Sequence, residues 1–143
     1  MKLNHRRILL GGLLAGLAMN VVDGVTNGVL LSEQYREIMR QVHAEHLLGS
    51  STVFWISMDF LYALAMSYLG AAMRPAFGAG IGPYVRAGIV VWLVGYLSVG
   101  WDIIVGVVPL GFHAIGTVAT LIGFAAGAGI ASRVYREPSD ANA

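Results

Sequence analysis

Cysteine is absent from the 143 residues, which excludes disulfides, thiolate metal sites and cysteine nucleophiles together. Charge is scarce as well. Only 12% of residues are charged and the net charge is +1. The basic residues stand near the ends of apolar runs, so there is no footprint for a nucleic-acid partner. No G-x-S-x-G elbow occurs. Intramembrane aspartyl proteolysis lacks its context, since Val99-Gly100-Trp101-Asp102 is not G-x-G-D and Asp59 follows Met58 rather than a tyrosine. The paired acids alone suggest such an activity, an enzyme is the lesser expectation, and no catalytic residue is assigned.

What fills the chain is hydrocarbon. Hydrophobic residues make up 57% of it and the mean hydropathy is +0.69, which leaves too little polar surface to coat a soluble globule. At roughly 20 apolar residues per helical crossing, the length admits about four spans. The expected fold is therefore an all-α integral membrane protein, a four-transmembrane-helix bundle forming one domain over residues 1–143. The spans are expected at 8–31, 52–73, 84–108 and 110–132, with a polar tail at 133–143. Between the first two, Tyr35, Ile38, Met39, Val42 and His46 recur at helical spacing, predicting a short amphipathic surface helix at about 33–48 that ends at Gly49, Ser50 and Ser51.

Lys2, Arg6 and Arg7 precede an apolar run in the manner of a secretory signal, with Gly16 and Ala18 as small residues for cleavage. The run continues well past Ala18, longer than an ordinary signal core, so an uncleaved signal-anchor is the expectation. Lys2, Arg6, Arg7, Arg74, Arg86, Arg133 and Arg136 fall on one side of the proposed spans and only Arg36 and Arg40 on the other. By the positive-inside rule both termini are cytoplasmic and the amphipathic helix lies outside. A bacterial inner membrane is the default location.

A helix turns about 100° per residue, which allows each span to be sorted by face. In the first, Gly12, Gly16, Asn20, Asp23 and Asn27 share an arc opposite Leu14, Val21, Val25 and Val29. Asp59, Tyr62, Ala63, Met66 and Gly70 share one in the second, and Gly88, Gly95, Ser98 and Asp102 in the third. The fourth contributes His113, Gly116, Thr117, Thr120, Phe124 and Gly127. Small residues let membrane helices approach closely, so these arcs are expected to face protein. Asp23, Asp59 and Asp102 also fall at one expected depth, ~10–12 Å below the outer surface.

Three carboxylates and His113 are thus expected to converge on an acidic pocket that opens outward. Ionisable groups inside spans are functional-site candidates by default, and no embedded Lys or Arg offers a counter-charge, so a cation or protons must neutralise the acids. Asp23, Asp59, Asp102, Asn20, Asn27 and His113 form the expected cation- or proton-binding set of a small transporter or channel-like protein. The competing reading makes the same polar residues interhelical hydrogen-bond glue in an accessory or assembly subunit of a membrane complex. The expected partners are the lipid bilayer with either further copies of the chain or other subunits.

His43 and His46 have the H-x-x-H spacing of a metal pair on the surface helix. His113 is the only histidine expected inside the membrane, and bis-histidine ligation would need His43 or His46 to reach in. A bound cation is the expected cofactor and haem is not. Tyr62, Tyr96 and the three tryptophans are read as belt and packing residues. Finally, Gly16, Asp23 and Leu31 match Gly95, Asp102 and Leu110 at a constant offset of 79, a possible trace of duplication.

Overall fold

A computed structural model describes residues 3–137, apart from the side chains of 97–99. Lys2, the tail beyond residue 137 and the inward placement of Ser98 lie outside the described residues. The described chain is all-helical. In order it forms α1 (His5–Val25), a π-helical turn (Thr26–Leu30), α2 (Ser32–Gln41), a 3-10 turn (Glu45–Leu47), α3 (Leu48–Phe77), α4 (Gly82–Val99), α5 (Trp101–Ile104) and α6 (Leu110–Val134). Four stretches are long and apolar enough to cross a membrane: His5–Leu30, Glu45–Phe77, Gly82–Ile104 and Leu110–Val134. The shortest has 23 residues, or ~35 Å of helix against a hydrocarbon layer of about 30 Å.

α1 packs on α3 and α6, α3 packs on α4, and α4 packs on α6, closing a ring of four antiparallel helices. Two glycines bring α1 against α3. A Cβ on Gly12 would stand 2.9 Å from Leu64 Cα, and one on Gly16 would stand 3.0 Å from Phe60 Cα. Ala15, Met19, Ala63, Met66, Phe124 and Ala128 fill the centre. Ser67 is fully buried and donates to the Ile8 carbonyl at 2.9 Å, a polar clamp between the same two helices. The outer faces are apolar throughout, with Leu17, Val21, Leu61, Val90, Val94 and Val118 all exposed. Water-soluble monomers rarely present so much contiguous hydrocarbon.

Local chemistry explains where the elements begin and end. Asn4 caps α1 by accepting from the Arg7 amide at 3.2 Å, so the helix starts three residues ahead of the apolar run. Gly49, Ser50 and Ser51 lie inside α3. Thr52 and Ser57 return their hydroxyls to the Leu48 and Val53 carbonyls at 2.9 and 2.8 Å, leaving the helix unbroken. The preceding chain instead breaks after Gln41, where His43 takes a left-handed φ of 54°. Pro75 also sits within α3, which stops three residues later at Gly78 with φ 82°. Pro83 and Pro109 mark the starts of α4 and α6.

α2 docks on one end of the bundle. Its Ile38 and the preceding Leu31 are buried, Tyr35 stacks on Phe112 with ring centroids 6.4 Å apart, and the Tyr35 hydroxyl meets Ser51 Oγ. The other end gathers the first and last described residues and the α3–α4 turn, with Asn4 Nδ2 donating to the Arg136 carbonyl at 3.2 Å.

Candidate functional site

Asp59 lies one-third of the way along α3 with its inward arc turned to the bundle, and only 7% of the residue is exposed. It makes no hydrogen bond and no ion pair among the described residues. Asp23 of α1 is the charged group that acts electrostatically on it. Asp23 is half-buried and likewise has no hydrogen-bond or ion-pair partner among the described residues. Neither carboxyl is sealed off: among the described residues the enclosed side-chain polar atoms without a hydrogen bond are Arg74 Nε and Tyr84 Oη, so the Asp23 and Asp59 oxygens keep access to the surface of the bundle.

Phenols complete the group from two helices. Tyr62, one turn beyond Asp59, is within electrostatic reach of it, and Tyr96 of α4 is within reach of Asp23. Gly95 makes room for Tyr62, since a Cβ there would stand 3.1 Å from the Tyr62 hydroxyl oxygen. The Tyr96 hydroxyl donates to the His113 carbonyl of α6 at 3.0 Å, stands 3.5 Å from His113 Nδ1 and meets Thr117 Oγ1. Trp92 stacks on Tyr96 at 5.0 Å and donates through Nε1 to Thr120 Oγ1 at 3.1 Å. Tyr96 joins α4 to α6 by hydrogen bonds to His113 and Thr117, while the acids of α1 and α3 act on the two phenols electrostatically.

Below this group the bundle is dry. Ala63, Met66 and Ser67 are fully enclosed, and Met19 and Phe124 are nearly so.

The remaining expected site residues are distributed differently. Asn20 bridges helices, donating to the Gly16 carbonyl at 2.9 Å and to the Ile56 carbonyl at 3.3 Å; it serves as glue beside the acids. Asn27 is exposed in the π-helical turn. Asp102 is exposed on the short α5 and shares no hydrogen bond or ion pair with Asp23 or Asp59. Its equivalence to Asp23 by the 79-residue offset does not extend to its surroundings. The helical path continues through Gly100, whose amide donates to the Tyr96 carbonyl, and Asp102 stands on α5 at the far end of the span with its side chain exposed. His43 and His46 are exposed, and no group of three or more His, Asp or Glu side chains suited to a metal occurs among the described residues.

The two tyrosines were expected as belt and packing residues. Tyr62 was detectable as the residue one turn from Asp59 on the same arc, whereas Tyr96 has no signal beyond its adjacency to Gly95.

No protein-family model, curated protein or solved structure matches the chain. The class is set by its own helices alone: a helical bundle with four candidate membrane-crossing segments.

Proposed function

We propose that this is an integral membrane protein of the bacterial inner membrane, with both termini cytoplasmic and α2 on the outer surface. In this reading the Asp23–Asp59 pair takes up a cation or protons from outside, in a small cation- or proton-linked transporter or channel-like protein. The observation that carries it is a carboxyl, Asp59, in a largely buried residue of a candidate span, with a second carboxyl, Asp23, acting on it electrostatically and no ion pair to either among the described residues. Structural glue does not account for this, because glue requires a hydrogen bond, and Asn20 nearby shows what one looks like. The phenols of Tyr62 and Tyr96 and the imidazole of His113 line the group with polar side chains, and the closely packed layer of Ala63, Met66 and Ser67 lies below it.

Thermal unfolding of the purified protein across a panel of monovalent and divalent cations and of pH tests the reading. A ligand present at a hundredfold excess over Kd stabilises by about 2.7 kcal/mol. That stabilisation is expected in the native chain and lost in Asp59→Asn. An identical response in both proteins contradicts it.

One observation favours the alternative of an accessory subunit. A groove of about 490 Å³ runs between α1 and α6, lined by Val22, Thr26, Leu30, Ile115, Val118 and Ile122 among others, and a partner helix would fill it. Co-purification of untagged neighbours with the tagged protein supports that reading; a homo-oligomer with an intact cation response counts against it.

A further inference from the structure

At the end of the bundle away from α2, three residues beyond α6 tie all four helices together. Tyr135 leaves the helix in an extended conformation, with ψ 129°. The Arg136 carbonyl accepts from Asn4 at the start of α1. Glu137 Oε1 stands 3.3 Å from Arg74 Nε of α3, whose guanidinium also lies 5.1 Å over the Tyr135 ring. Tyr135 in turn packs beside Tyr84 of α4, with centroids 6.5 Å apart.

Arg74 is the residue that makes this a joint. Its side chain is only 11% exposed, and a charge so enclosed is strongly disfavoured once its partner is removed. The chain around it is built to bend. Pro75 has no N–H to return to the Ala71 carbonyl, and Gly78 and Gly80 just beyond hold left-handed φ values of 82° and 104°. Behind the joint lie Ala71 and Tyr84, both fully enclosed.

We propose that Tyr135–Glu137 is a strap that holds this end of the bundle shut, and that parting of the Arg74–Glu137 pair swings the strap and the last turn of α3 away to admit water to the Ala71–Tyr84 layer. The strap is independent of what the Asp23–Asp59 pair binds.

The absence of native cysteine allows a direct test on the full chain in liposomes, with a water-soluble maleimide as probe. Ala71→Cys reports the layer behind the strap. Ala15→Cys, also fully enclosed but deep in the bundle, reports general loosening. Labelling of Ala71→Cys is expected to be slow, and to accelerate at least roughly tenfold when combined with Glu137→Ala or with truncation after Val134, while Ala15→Cys stays protected in every background. Unchanged labelling of Ala71→Cys, fast labelling with the strap intact, or equal acceleration at Ala15→Cys overturns the proposal.

Discussion

Asp59 is a carboxyl in a largely buried residue with no ion pair among the described residues, and its neighbours can be ranked by what each would change. Gly95→Ala would put a methyl group 3.1 Å from the tip of Tyr62. Because that tip is the far end of a side chain, the expected stability loss is under ~1 kcal/mol, with a weakened cation or proton response; calorimetry alongside ion titration separates the two. Asp102→Asn is expected to leave both unchanged, since the residue is exposed and apart from the pair. The contrast between Asp23 and Asp102 marks how far sequence reaches. Arc and depth placed both equally well, but neither tells which end of a span its neighbours cover, and Asp102 at the end of the third span is exposed where Asp23 is half-buried.

At the scale of the helices, close packing outweighs hydrogen bonding. Gly12→Ala would force a Cβ to 2.9 Å from the Leu64 backbone, and Gly16→Ala one to 3.0 Å from that of Phe60. Since backbone must shift, each is expected to destabilise by ~1–3 kcal/mol. Ser67→Ala removes one clamp to Ile8 and is expected to lose only ~0.5–1 kcal/mol. Thermal unfolding in a common detergent ranks the three, and a larger loss for Ser67→Ala than for Gly12→Ala would reverse the assignment. The inward glycine stripe was legible because small residues recur at helical spacing, and Gly12, Gly16, Gly70, Gly88 and Gly127 are all buried. Breakers were read less well: Pro75 and the Gly49-Ser50-Ser51 triplet sit inside α3 because a helix end tolerates them once its remaining carbonyls and hydroxyls are paired.

For the whole molecule, four apolar helices of sufficient length follow from composition and run length, the strongest signals in a chain that is 57% hydrophobic. Contacts that join distant segments do not: the convergence of Tyr62 and Tyr96 on the acids, and of Glu137 on Arg74, depends on which helices are neighbours. Uptake at the Asp23–Asp59 pair is tested most directly by reconstituting the purified protein in liposomes and following cation and proton movement under an imposed gradient. The native chain and Asp102→Asn should carry the same flux, and Asp59→Asn none above protein-free vesicles. Flux through Asp59→Asn at the native rate would contradict the assignment.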